Sequence, residues 1–568
     1  MARTPALVAL VLLGALLLTP SAVAVTPGDP DTRFGSGGEV LLDPSKELRE
    51  IAGLAEQPDR KLIVTGSVGT KLPIGAVLRL REDGTPDRGF AANGLARLGT
   101  FGVAGTPVLQ PDGGIVVWSA RGRDEAPPSA TLSRLDSEGR FDTTFGQNGF
   151  ASADRPGFQP RGAFGLADGG VVLVGTEAGP GGARGAVARF RPDGSLDPAF
   201  GSGGYATVEP AGQNGLLVSG AEQPGRGIVV AGEFKASGSP GGGTEYRWTA
   251  ARLTDSGTLD PSFGQGGLAQ DSFRGQGGGF SEIAPGPQGT FVLAGSVPIP
   301  WADGRSGYGI ARITADGAQD PSFGDGGRAY VEVPVDGAVH AQVPQVATLH
   351  ENRMAIAGQH LRTTPSFDAI SGWVLGRLDG DGRIDAGFGR EGWAATSHGP
   401  GWLRPRELIR TAAGGLVLAA NAADCDNERA GLFRFHSDDA EPNRAGAGPI
   451  MRTCGSTARQ SGDGTIPIEV QCPAIELGCS TTMQVEIPSS ELRKSASAAP
   501  LLVGIQRGVD LAGGEVTTVR IRARSAARRV MARRRSVRAR VVFRAVDRRG
   551  WVRTSKRSMV LKAPKNKR

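Results

Sequence analysis

The chain has 568 residues, several times a typical domain of roughly 100 to 200, so a single small fold is excluded. Gly 88 and Pro 38 make about 22% of it, just short of the range of roughly 25 to 30% that marks a low-complexity chain. Aromatics at 6% and hydrophobics at 39% suit many short strands sharing small cores and exclude a large helical protein, while the formal charge of +7 hides a strong asymmetry between the two ends.

In chain order, Arg3 precedes an apolar run from Ala6 to Leu18, followed by Pro20 and the small triplet Ala22, Val23, Ala24. That order is the one found in secretory signals, so residues 1–24 are expected to be a signal peptide and the mature chain to begin near Val25. The run is shorter than the roughly 20 residues of a bilayer span, and no later stretch reaches 18 apolar residues. The expectation is a secreted or cell-surface-associated, extracytoplasmic protein with no transmembrane segment after signal cleavage.

Residues 194–204 read GSLDPAFGSGG and recur as GTLDPSFGQGG at 257–267 and GAQDPSFGDGG at 317–327. Weaker copies surround Phe34, Phe90, Phe145 and Phe388. Taking the Phe as marker gives seven copies at spacings of 55 to 65 residues. A second marker runs in step: Arg79, Arg134, Arg189, Arg252, Arg312 and Arg377 each stand eight residues before an aspartate, Asp87, Asp142, Asp197, Asp260, Asp320 and Asp385. An Arg to carboxylate pair repeated in every unit is a structural pin, since catalysis needs no seven copies. Short apolar runs bounded by Gly, Pro and Asp give four strands per unit, which predicts a propeller blade. Asp31, in the Phe34 unit, has no marker Arg eight residues before it, and Arg434 has no FG turn after it, so the two ends are complementary halves of one unit. The expected fold is all-β: a seven-bladed β-propeller over about 25–440, closed where residues 31–38 meet the Arg434 strand, followed by a small β-sandwich domain.

The LDPSFGxGG sentence with its following QPDGK-type hairpin resembles the delta-60 repeat family of bacterial propeller-like proteins, over about residues 29–439. The resemblance implies a propeller-like fold and says nothing about activity. Ala91, Asn93, Asn148 and Glu391 depart from the family's glycines, so those turns are expected to differ in detail.

Strand alternation puts the repeated turns on one face and the variable loops on the other. Variable loops on a repeated scaffold are the usual place for function. Aromatics cluster in the units' variable parts, so a ligand-binding rim is expected from Tyr246, Trp248, Trp301, Tyr308, Trp373, Trp393 and Trp402. No catalytic residue is assigned: the five histidines have no ligand spacing, and no GxSxG elbow, HExxH helix or P-loop is present. Asp379, Asp381 and Asp385 superficially resemble a calcium loop but lack its distal ligands. No metal and no cofactor is expected.

Cys425, Cys454, Cys472 and Cys479 are an even set in an exported chain, which favours disulfides. Local pairing would let Cys472 and Cys479 clip a short hairpin and Cys425 and Cys454 tie the first domain to the second. Residues 441–460 read as a linker and 461–561 as a basic β-sandwich module, weakly similar to the Cys-clipped immunoglobulin-like modules of some secreted bacterial proteins, with a disordered basic tail at 562–568. Residues 501–568 carry 21 Lys or Arg against three acids, a balance of +18 that leaves −11 for the rest. Arg520 and Arg522 alternate on one strand and Arg538 and Arg540 on another, an arrangement expected to array an anion-binding set on one sheet face. Export argues against a genomic nucleic-acid partner. The reading is a non-catalytic binding or display scaffold whose partner is a glycan, an envelope polymer or a protein; the alternative is a propeller enzyme acting on extracellular or envelope carbohydrate.

Overall fold

The computed structural model describes residues 26–69, 72–120, 130–179, 182–210, 213–236, 245–273, 279–298, 306–333, 339–363, 369–399, 404–424, 427–437, 451–472, 479–492, 499–511, 516–547 and 552–564. The expected signal peptide and basic tail fall outside them, apart from residues 562–564.

The described residues contain seven four-stranded antiparallel sheets before residue 437. One takes Glu50–Glu56, Leu62–Val68, Ile74–Leu80 and Leu95–Phe101 in chain order, and five more repeat that order. The remaining sheet takes Pro405–Arg410, Gly415–Asp424 and Asn427–His436, and its fourth strand is Glu39–Leu41 from the other end of the chain. There Glu39 lies opposite Phe433 and Leu41 opposite Gly431. The first strands of successive sheets touch in order, from Glu50–Glu56 through Ala104–Leu109 and Gln159–Gly165 round to Pro405–Arg410, which touches Glu50–Glu56 again. Seven hydrophobic clusters fill the seven gaps between neighbouring sheets. Leu432 and Val417 of the last sheet share one with Phe34, Leu54 and Leu78, so that gap is sealed like the rest.

A single device is repeated at each gap. The amide after the marker Phe donates to a carbonyl in the next unit's turn: Gly35 to Asp83, Ala91 to Glu138, Gly146 to Asp193, Gly201 to Ser256, Gly264 to Asp316, Gly324 to Asp381 and Gly389 to Pro27, all at 2.7 to 2.8 Å. The series returns to its start through the N-terminal segment. Each marker Phe is buried, and the next unit's turn lies against it closely enough to require glycine: a Cβ on Gly317, at φ +80°, would stand 2.9 Å from the Phe263 ring. The departures expected to alter the turns do not alter their backbone. Ala91 (φ 43°), Asn93 (58°), Asn148 (53°) and Glu391 (54°) hold the left-handed conformation that Gly146 (54°) and Gly266 (62°) hold elsewhere.

Beyond residue 450 a three-stranded sheet (Arg452–Thr453, Thr465–Gln471, Val516–Arg522) and a five-stranded sheet (Thr457–Arg459, Val552–Lys562, Ser536–Asp547, Cys479–Ile487, Leu501–Leu511) share one core. A helix, Ser525–Arg534, lays Ala527 and Met531 on that core, where the sequence pattern predicts strands alone. Its signal is weak because four of its ten residues are Arg and two apolar positions carry its buried face. Cys472 and Cys479 are bonded, with Cα atoms 5.8 Å apart. They do not clip a hairpin: Thr465–Gln471 and Cys479–Ile487 belong to different sheets, so the bond ties the two layers together. Cys454 is also disulfide-bonded, and Cys425, expected as its partner, lies outside the described residues.

Candidate functional site

The recurring arginines settle first what is structural. Arg79, Arg134, Arg189, Arg252, Arg312 and Arg377 reach their aspartates at 2.6 to 3.4 Å. Arg434 reaches Asp31 at 2.9 Å, the seventh pair, assembled from opposite ends of the chain. Each guanidinium also lies over its unit's Phe, 4.5 Å away for Arg79 on Phe90 and 4.7 Å for Arg434 on Phe34, and each donates to a carbonyl of the next unit. Arg252 is 1% exposed, and it also bonds Ser262 Oγ, Gln223 Oε1 and the Ala315 carbonyl. These residues staple neighbouring sheets and are not available for chemistry.

The aromatic rim is corrected by burial. Trp248, Tyr308, Trp373 and Trp393 lie within strands, not in loops, and are 0 to 6% exposed. The strands extend further than the apolar runs suggested, which carries these rings into the gaps between sheets. Tyr308 donates its hydroxyl to the Gln359 carbonyl of the next sheet at 2.9 Å, and the Trp373 ring stands 4.9 Å from that of Phe433. Tyr246 is exposed at 40%, and Trp301 and Trp402 lie outside the described residues. Among the histidines, His360 and His436 are buried and His350 is exposed. The carboxylates of the calcium-like stretch are taken up locally: Asp379 accepts the amides of Asp381 and Arg383, and Asp381 pairs with Arg383 at 2.6 Å.

The four arginines assigned to anion binding do not share a face. Arg520 and Arg522 stand on the three-stranded sheet, outward because Val519 and Ile521 point into the core. Arg538 and Arg540 stand on the five-stranded sheet, outward because Val537, Ala539 and Val541 point into the same core from the other side. Two layers around one core turn their outer faces apart, so the module is basic on both. Arg540 is partly used by Glu486 at 3.4 Å.

Two features were not legible in the sequence. On the ring's inner strands Glu282 and Glu407 each follow a register irregularity, after Phe280 and after Pro405, where a bulge re-aims side chains. Burial pushes the Glu282 carboxyl up to about 8, against a hydrogen bond from the Val346 amide at 2.9 Å. Burial, and then the charge of Glu282, holds Glu407 well above the ordinary carboxyl range. Two carboxyls that feel one another in this way titrate as a pair. The second feature is a pair of cavities on the face of the repeated turns. One, of about 800 Å³, is lined by Pro58, Pro107, Pro111, Phe164 and Ala412 beside Glu56. The other, of about 670 Å³, lies where the chain's ends meet, and Asp31, Arg60, Arg81, Arg434 and His436 line it. Against burial, which raises it, hydrogen bonds from Arg33 and the charge of Arg434 hold the Asp31 carboxyl below its usual value; burial lowers His436.

Residues 57–90, 166–200, 227–263 and 292–323 match the model of a family described as a domain of unknown function (DUF5122) beta-propeller. The chain is thus an all-β protein with propeller-like repeats of four-stranded sheets. Similar solved structures include the extracellular domain of a hybrid two component system from B. thetaiotaomicron (9% identity, TM-score 0.35, 93% of this chain and 58% of that one). Others are the Plexin A4 extracellular region (9%, TM-score 0.39, 92% and 67%) and an ulvan lyase of a polysaccharide lyase family (11%, TM-score 0.38, 73% and 95%). No curated protein matches the chain. Among the described residues no helix is long and apolar enough to cross a membrane.

Proposed function

We propose that the chain is an exported, non-catalytic scaffold: a seven-bladed β-propeller closed by its own N-terminal strand, over about residues 25–440, joined through residues 441–460 to a basic β-sandwich module at 461–561 that associates with anionic envelope polymers. The cyclic series of turn hydrogen bonds supports the closed ring, and the disulfide between Cys472 and Cys479 suits an oxidising, extracytoplasmic compartment. The observation that carries the binding role is the segregation of charge: the module turns Arg520, Arg522 and Arg538 outward on both layers while the rest of the chain is acidic. The test is co-sedimentation of full-length protein with an anionic envelope preparation, wild type against a variant with Arg520, Arg522, Arg538 and Arg540 changed to Glu. Retained sedimentation of the variant sinks the reading.

A second reading, an enzyme acting on extracellular carbohydrate, is favoured by one observation, the pair Glu282 and Glu407. A carboxyl held protonated beside a second carboxyl is the usual equipment for acid and base work on a glycosidic bond. Release of reducing ends from a panel of envelope polysaccharides by the wild type, and its loss in Glu407→Gln, would decide for this reading.

A further inference from the structure

At the seam where the chain's ends meet, the stapling Arg434 is held differently from the arginines of the other six units. In four of them, Arg79, Arg252, Arg312 and Arg377, the stapling arginine spends its Nε on its own aspartate at 2.6 to 3.0 Å. In the other two, the hairpin aspartates Asp112 and Asp168 bring a second carboxylate to the guanidiniums of Arg134 and Arg189, and Arg189 also keeps Nε 3.4 Å from its own Asp197. Arg434 has neither. Its aspartate, Asp31, is shared with Arg33, which holds Oδ1 through Nε at 3.0 Å and Oδ2 through Nη2 at 3.2 Å. Arg434 is left with Nη2 on Asp31 Oδ2 and Nη1 on the Glu82 carbonyl, and among the described residues its buried Nε has no acceptor. The hairpin position that holds Asp112 and Asp168 holds Ala413 here, as the matching hairpin bonds of Gln110, Leu166 and Thr411 show.

The cavity of about 670 Å³ lies at this place. Two further guanidiniums line it with little to bind. Among the described residues Arg81 makes no side-chain hydrogen bond and has a carboxylate oxygen, Asp87 Oδ1, at 4.0 Å, and Arg60 has one bond, to Glu82 at 3.4 Å. Arg60 stands at φ 65°, at the hairpin position where Gly113, Gly169 and Gly414 stand in other units. Of the three lining acids, Asp83 is spent on the amide and hydroxyl of Thr85, Asp31 on its two arginines, and Glu82 faces Arg60 at 3.4 Å. A buried guanidinium without a full complement of acceptors, two more at the mouth, and space in front of them make a receptor for an oxyanion, which planar N–H forks recognise in pairs. The volume exceeds that of a free anion and suits a group of sugar size.

We propose that this seam cavity binds an oxyanion, a carboxylate, phosphate or sulfate, carried on a ligand of about sugar size, which takes the place of the missing hairpin aspartate on Arg434. The site belongs to the ring and is independent of the basic module.

Thermal unfolding and isothermal titration of full-length protein test it, with sodium phosphate, sodium sulfate and sodium glucuronate as probes at constant ionic strength against chloride. At least one probe is expected to bind and to raise the melting temperature by a few degrees, and the ranking of the three identifies the carrier chemistry. Ala413→Asp, which restores the carboxylate that three other units carry as Asp59, Asp112 and Asp168, is expected to weaken that binding at least tenfold while leaving the probe-free melting temperature unchanged or higher. Arg60→Gly, which restores the residue of other hairpins, is expected to weaken it severalfold. The C-terminal arginines are the same in every variant, so binding there would not distinguish them. Failure of all three probes, or equal binding by wild type and Ala413→Asp, overturns the proposal and leaves the role of the basic module untouched.

Discussion

At the scale of single residues, the stapling arginines are the positions where substitution should cost most. Arg252 is buried and bonds Asp260, Ser262, Gln223 and a carbonyl of the next unit. Arg252→Ala leaves those acceptors unpaired, and a loss of about 1 to 3 kcal/mol is expected from urea unfolding. An unchanged midpoint would show that the staple contributes nothing. Ala91 is the opposite case, a residue with a Cβ in a left-handed turn that glycine fills in other units. Ala91→Gly removes strain of about 1 to 2 kcal/mol but loosens the unfolded chain, so a net gain of up to about 1 kcal/mol is expected, and a lower melting temperature would contradict it. The Arg and Asp spacing was legible in the sequence because both members lie eight residues apart in one turn. The seam cavity was not, because Asp31, Arg60, Arg81 and Arg434 come together only when the last unit meets the first.

At the scale of elements, the inner strands carry the pH dependence. The Glu282 carboxyl, at about 8 in the folded chain, lies above its ordinary value of 4.5, so folding takes up a proton between those two values. With Glu407, with which it titrates as a pair, its contribution to stability is complete below pH of about 4.5 and is lost as pH rises through the raised values. Glu282→Gln is expected to flatten the fall in urea midpoint between pH 5 and pH 8.5, and a slope equal to that of wild type would place the proton elsewhere. The strand rhythm was legible because short apolar runs between Gly and Asp turns mark each strand. Strand ends were not. Trp248 and Trp373 lie past the apolar runs and so look like loop residues in the sequence, but the strands extend beyond those runs and neighbouring sheets bury both rings. The basic helix escaped for the converse reason: two small contacts, Ala527 and Met531, hold it to a core that strands otherwise supply.

At the scale of the molecule, charge is divided between an acidic ring and a basic end. If the module binds an anionic polymer through long-range attraction, binding should fall steeply as the Debye length shrinks from about 10 Å at 0.1 M salt to about 3 Å at 1 M. Sedimentation with the polymer that persists at 1 M salt would exclude that mechanism. Because the arginines face outward from both layers, substituting one layer alone, Arg520 and Arg522, should leave part of the binding, whereas a single basic face would lose all of it.

The strand Glu39–Leu41 completes the last sheet by noncovalent pairing alone, across nearly the whole length of the repeats. Until Asn427–His436 has emerged, that strand has nowhere to go, and until it docks, the last sheet shows an open edge of unpaired backbone groups. A second molecule's N-terminal strand fits that edge as well as the molecule's own, since the register and the Asp31 to Arg434 pair are the same in either arrangement. Closure is thus a contest between one chain and its neighbours. Refolding at high concentration should trap exchanged dimers that dilution releases slowly, with each ring finished by the other's first strand.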